Sequence, residues 1–287
     1  MIIVQFIFGA IIGSFLSVCI YRIPISKGLH LDSEEDLAEP AKKAEPEEKI
    51  SIAYPRRSFC PHCKAQLSWY HNIPILSWLV LRGKCAFCKA PISARYPVVE
   101  LMTALVSVMT FQSFGMNPTG AVIFIFCAAL IVISFIDYDY YIIPNVISLP
   151  GTVIALVLAG INQFYSIFKF PIVSGLKDAG LGILAGAGFL LFISEVYLRL
   201  RKKEGLGMGD VKLLAMTGAL FGLEGSLYTI FIGSFLGSIL GVLLVLCSGR
   251  KMSQQLPFGP YLALGTFAYI FAGSDFIFRL IQMATRQ

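Results

Sequence analysis

Charge is what this sequence has least of. Only 23 Lys+Arg and 17 Asp+Glu occur in 287 residues, or 14%, where a soluble globular chain carries about 25%. Together with 56% hydrophobic residues and a mean hydropathy of +0.76, that scarcity excludes a soluble enzyme and an intrinsically disordered chain. The net charge of +6 has no basic face behind it, so a nucleic-acid partner is not expected. There is no internal repeat. A basic segment and a small-residue cleavage site are both missing around the opening apolar run, so Met1–Ile20 does not read as a removable signal peptide. What charge there is lies unevenly. Residues 22–97 hold 12 Lys/Arg and 8 Asp/Glu, half of all charges in about a quarter of the chain.

What fills the rest is apolar sequence in lengths that suit a bilayer. A spanning helix needs about 20 mostly apolar residues. The opening run meets that length, and further candidates fall near 98–114, 121–137, 144–161, 178–198, 208–223, 226–247 and 259–279. The expected fold is an all-α integral membrane protein of about eight transmembrane helices. Its organisation reads as helix 1 (1–21), a polar domain (22–97) and a membrane-embedded domain (98–287). Orientation follows from Lys and Arg, which cytoplasmic loops retain. With helix 1 running inward, the cytoplasmic side receives 18 basic residues in 22–97, 199–203 and 248–256, and the opposite side four. Both termini are then outside.

Within the polar domain, 26–54 is Glu- and Lys-rich and reads as a solvated linker. The segment after it carries Cys60-Pro-His-Cys63 and Cys85-Ala-Phe-Cys88. Two such knuckles suit a tetrahedral thiolate site, and Lys64, Lys84 and Lys89 would offset its negative charge. Two disulfides are the competing reading, which a reducing cytoplasm disfavours. Four sulfurs close the coordination shell, so a zinc ion here would be structural. His62 and His71 are expected to be bystanders. Cys19, Cys127 and Cys247 lie singly in apolar spans as small hydrophobes.

Ionisable residues at membrane depth are costly and read as functional by default. With linker, loop and outer-end carboxylates set aside, Glu100, Asp137, Asp139, Glu195 and Asp210 remain. Asp137 ends one apolar run and Asp210 opens another, so both lie at the cytoplasmic mouths of their helices. Such a pair could share a proton and activate a water. The other reading of each is an interfacial residue facing headgroups, a reading that Glu100 and Glu195 fit better. Gly207 and Gly209 flank Asp210 and would admit a close backbone. Lys212 is expected to snorkel. Each helix's own macrodipole disfavours an anion at Asp137 and favours one at Asp210, so the expectation is that Asp137 holds the shared proton. Paired intramembrane carboxylates also occur in cation- or proton-coupled transporters, the alternative from another class.

Seven segments, GSFLSVCIYRIP (13–24), CPHC (60–63), NIPILSWLVLRGKCAFC (72–88), RYPVVEL (95–101), FIDYDYYIIPN (135–145), EGLGMGDVKLLAMTGALFG (204–222) and PFGPYLALG (257–265), closely resemble, in order, the bacterial prepilin peptidases. These are bifunctional type IV prepilin leader peptidase/N-methyltransferases of the GxGD aspartic type. The resemblance implies Asp137 and Asp210 as catalytic aspartates, with Gly207, Gly209, Lys212 and the rival Asp139 around them, and Cys60, Cys63, Cys85 and Cys88 as zinc ligands. It implies prepilin and pseudopilin substrates, cleavage of a short basic leader at the cytoplasmic face of the inner membrane, and S-adenosylmethionine as methyl donor. A peptidase without the methyltransferase activity is the alternative within that class. Ser17 stands where the family usually has Asn, and Asn145 where its motif often ends in Asp. The residues that bind the methyl donor are not indicated.

Overall fold

The computed structural model describes residues 1–26, 59–60, 62–202, 207–248 and 257–285, without the side chains of 244–245, 247–248 and 274–285. The linker beyond Ser26, Glu204, the loop 249–256 and the side chain of Cys247 lie outside the described residues. Among those residues the chain is helical, with two isolated β-bridges and no strand. It forms two compact units, Met1–Gln112 and Ser113–Gln287.

In the first unit, α1 (Ile2–Ile25) and α3 (Arg95–Phe114) pack against each other, and the short α2 (Leu76–Val80) lies in the polar segment between them. Lipid gives little hydrophobic drive for two apolar helices to associate, so close van der Waals packing must provide it. Gly9 and Gly13 of α1, spaced as Gly-x-x-x-Gly, provide the room. A Cβ on Gly9 would lie 2.7 Å from the Ala104 Cα, and one on Gly13 would lie 2.7 Å from the Glu100 Cα. The Ser107 hydroxyl donates to the Gln5 carbonyl at 2.8 Å, and Gln112 Nε2 to Gln5 Oε1 at 2.8 Å. The small-residue spacing was present in the sequence, but its partner helix was not evident there.

The second unit contains α4 (Pro118–Tyr140), α5 (Asn145–Tyr165), α6 (Leu176–Arg201), α7 (Met208–Ser248) and α8 (Gly259–Thr285). Asn117 caps α4 by accepting the Gly120 N–H at 3.0 Å. At its other end Tyr141, at φ 55°, turns the chain out of the helix. Pro144 then precedes α5 in extended backbone. The expected spans 208–223 and 226–247 lie on one assigned helix, α7, of 41 residues. A straight helix of that length would run about 60 Å, twice the apolar thickness of a bilayer. It is not straight, because Gly222 sits at φ 69° and ψ −161°. Residues 218 and 226 would be about 12 Å apart along a continuous helix, yet a Cβ on Gly218 would meet the Ser226 Oγ at 2.7 Å. The chain therefore reverses at Gly222, and α7 supplies both expected spans.

α6 meets this reversal at Gly182, whose carbonyl accepts the Ser226 hydroxyl at 2.8 Å. Leu184–Gly188 of α6 is a π-helical turn. α8 packs on the second half of α7 through small residues, with a Thr229–Thr266 hydroxyl pair at 3.2 Å. Phe126, Phe221 and Tyr269 form an aromatic chain beside Gly222 (Phe126–Phe221 centroids 4.9 Å, Phe221–Tyr269 5.9 Å). Six helices among the described residues, α1, α3, α4, α5, α6 and Met208–Leu243 of α7, are long and apolar enough to cross a membrane. The chain is an all-α, multi-pass membrane protein.

Candidate active site and metal centre

Asp137 lies in the last turn of α4 and Asp210 in the first turn of α7, and both are buried, at 5% and 8% exposure. Their carboxylates are close enough to repel one another. Two features of the α7 entrance produce that approach. The Asp210 N–H donates to the Gly207 carbonyl at 3.1 Å, which folds Gly207 back over the aspartate, where a Cβ would meet Oδ2 at 3.3 Å. A Cβ on Gly209 would meet Ile143 at 3.0 Å at its Cβ and 3.3 Å at its backbone N. Glycine at 209 thus lets the chain just after Asp137 come against the chain just before Asp210.

A third element completes the site. The N–H of Gly259, the first residue of α8, donates to Asp137 Oδ2 at 2.9 Å. A Cβ at Gly259 would stand 2.7 Å from that oxygen. The expectation about the shared proton considered only each aspartate's own helix. The structure adds the positive end of another helix at Asp137, so that asymmetry is no longer the whole local field. The sequence offered a signal for this residue, because PFGPYLALG was among the matching segments, but it gave that segment no role.

The neighbouring candidates separate clearly. Asp139, two residues from Asp137, is only half-buried. Lys212 Nζ donates to Asn145 Oδ1 at 2.8 Å in an exposed contact. That contact ties the α7 entrance to the start of α5. Glu195 accepts Arg199 Nε at 2.8 Å as an exposed i,i+4 pair, a surface contact of small consequence. Glu100 belongs to the other unit, where it is 8% exposed and accepts the Ile75 N–H at 2.7 Å.

In the first unit the four cysteines converge. The sulfurs of Cys60, Cys63, Cys85 and Cys88 all lie within 4.8 Å of one another. The two knuckles share one backbone design. Cys60 N–H donates to Ala65 O at 3.0 Å and Lys64 N–H to Cys60 O at 2.9 Å; Cys85 N–H donates to Ala90 O at 2.8 Å and Lys89 N–H to Cys85 O at 3.2 Å. Lys64 and Lys89 occupy the same left-handed position, at φ 55° and 60°. Sulfurs about 2.3 Å from a tetrahedral metal are about 3.8 Å from each other, and Cys60 and Cys88 stand 3.8 Å apart across the knuckles. The residues fit a tetrahedral metal. Backbone N–H groups of Cys88 and Phe87 hold the Cys85 thiol down at about 6. The Ala90 backbone hydrogen bond pulls Cys88 down, but burial and the other three sulfurs push it up to about 11. His62 is exposed, and His71 stands edge-on to Tyr70 and Phe87.

Residues 7–114 match the family model described as the bacterial Peptidase A24 N-terminal domain, and 124–242 match the Type IV leader peptidase family. The chain is 36% identical over 271 residues to the prepilin leader peptidase/N-methyltransferase of Aeromonas hydrophila, covering 94% of this chain and 90% of that one. The proteins of that name from Stutzerimonas stutzeri and Pseudomonas aeruginosa are each 34% identical, over 97% and 96% of this chain and 93% and 92% of theirs. No solved structure matches. With the two aspartates and their glycines inside one matched region and the cysteine centre inside the other, the chain belongs to the type IV leader peptidase family.

Proposed function

We propose that this chain is a membrane aspartic endopeptidase that removes the short basic leader of type IV prepilins and pseudopilins and then methylates the new N-terminus. Asp137 and Asp210 are its catalytic pair. The observation that carries this reading is their joint burial at the ends of two helices, with a backbone N–H from a third directed at one of them. Like charges close enough to repel cannot both ionise easily, so one carboxyl retains a proton. The ionised partner takes a proton from a water as it attacks the scissile carbonyl, and the protonated one donates to the carbonyl oxygen. Collapse of the resulting diol returns a proton to the leaving amine. A transporter using the same carboxylates would place them nearer the membrane midplane, whereas these occupy helix ends.

The excess of basic residues in 22–97, 199–203 and 248–256 supports a cytoplasmic site at the inner membrane, with both termini outside. There the leader stays in the cytoplasm while the substrate's hydrophobic segment enters the bilayer. Zinc is the metal that the four-thiolate set favours, and its role is structural. When bound, S-adenosylmethionine supplies an electrophilic methyl group to the new α-amine and leaves as S-adenosylhomocysteine, the amine's proton passing to solvent. Co-expression with a pilin-like substrate tests the reading. A gel-mobility shift and a mass gain of one methyl group are expected, and an uncleaved substrate would refute it.

A further inference from the structure

The first unit contains a cavity of about 350 Å³ that the peptidase chemistry does not use. It lies between the ends of α1 and α3 and the cysteine segment, and Cys60 and Cys85 are part of its wall. Its size falls within the range of small-molecule and cofactor sites. The lining is unusual for a membrane protein because it includes two buried ionisable residues of opposite sign. Arg22, 6% exposed, is the only charged residue of α1, and Glu100 of α3, 8% exposed, lines the same cavity. Aromatic side chains share the wall: Tyr21 and Tyr96, whose phenols are close enough to interact, and Trp78. The His71 ring, edge-on to Tyr70 and Phe87, also lines the cavity.

We propose that this cavity binds the methyl donor, S-adenosylmethionine, an inference that rests on the reading of the chain as a methyltransferase. The donor is a zwitterionic amino acid joined through a sulfonium to a nucleoside. A buried guanidinium suits its carboxylate, which it can hold by a charge-assisted fork. The Glu100 carboxylate accepts the Ile75 N–H and the Ser14 hydroxyl, and its remaining lone pairs can take a ribose hydroxyl or the ammonium. Aromatic faces attract a soft cation and accept a purine ring. Because the cysteine knuckles form part of the same wall, a metal held there also shapes the pocket. The cysteine centre then acts on methyl transfer without touching the peptide bond.

The test is binding to the purified full chain in detergent, using sinefungin (a cationic, non-reactive donor analogue) and S-adenosylhomocysteine (its neutral counterpart). Arg22→Gln and Glu100→Gln are expected to weaken sinefungin binding about tenfold or more, with Arg22→Lys intermediate. Wild-type should prefer sinefungin to S-adenosylhomocysteine, and Tyr96→Leu should shrink that preference. Metal content and elution profile report whether each variant is folded. Ultraviolet cross-linking of methyl-labelled donor to the unaltered protein needs no variant, and its label should map to 13–24 or 72–101. Label confined to the second unit, or wild-type affinity in both charge variants, would overturn the cavity assignment while leaving methyl transfer intact. If wild-type cleaves leaders but neither binds donor nor methylates, the methyltransferase reading falls and this site falls with it.

Discussion

Replacing Gly259 with alanine isolates the contribution of α8 to the aspartate pair. The Gly259 N–H reaches Asp137 Oδ2 at 2.9 Å, and the added methyl carbon would stand 2.7 Å from that oxygen and 3.1 Å from the Asp137 Cγ. Ordinary contact begins near 3.4 Å, so carboxylate and helix must separate by about 0.7 Å at that oxygen. A hydrogen bond to a charged group contributes about 1.5–3 kcal/mol, and its loss corresponds to about 10- to 150-fold in rate. Misplacement of a reacting group by about 1 Å has a comparable cost. The expected result is a fall in kcat for leader cleavage within that range, with KM nearly unchanged, measured on purified prepilin in detergent. Gly265→Ala is the control: its Cβ would strike the Thr229 carbonyl at 2.6 Å, in the α7–α8 packing. It should lower Tm more than it lowers kcat. Gly259→Ala with kcat within twofold of wild-type would refute the idea that α8 positions Asp137.

Four further outcomes are expected. Asp137→Asn and Asp210→Asn should each abolish cleavage with membrane insertion retained, while Asp139→Asn should remain active; loss of cleavage in the Asp139 variant alone would move the first catalytic position. Cys60→Ser should lose stoichiometric zinc by elemental analysis. In wild-type, Cys88 at about 11 must give up its proton to bind metal at neutral pH, and below about 6 Cys85 is protonated too. Zinc affinity should therefore fall as pH drops from 7.5 to 5.5, and zinc retention indifferent to pH would contradict a thiolate site. Gly222→Ala should destabilise the protein by about 1–3 kcal/mol, since the residue is at φ 69° with the Val173 Cγ1 2.9 Å from its would-be Cβ; an unchanged Tm would count against a sharp reversal there.

Much of this protein was legible in one dimension because the bilayer imposes one-dimensional rules. Apolar length gives the helices, scarcity of charge narrows the carboxylates to five that include Asp137 and Asp210, and cysteine spacing gives the two knuckles. The spans 208–223 and 226–247 were separable because Gly222 and its neighbours interrupt the apolar run, although the reversal itself depends on a backbone angle. The sequence on its own thus determined the helical class, the motif residues and the distribution of basic loops, all of which follow from local composition. Tertiary structure decided which helix ends meet. Lys212 meets Asn145, 67 positions away. Asp137 received its N–H from Gly259, 122 positions along the chain, and Arg22 and Glu100 came to share a cavity through the Gly9–Gly13 approach of two helices. Those outcomes depend on how small residues let backbones approach across long sequence separations, and the period of a single helix carries no information about that.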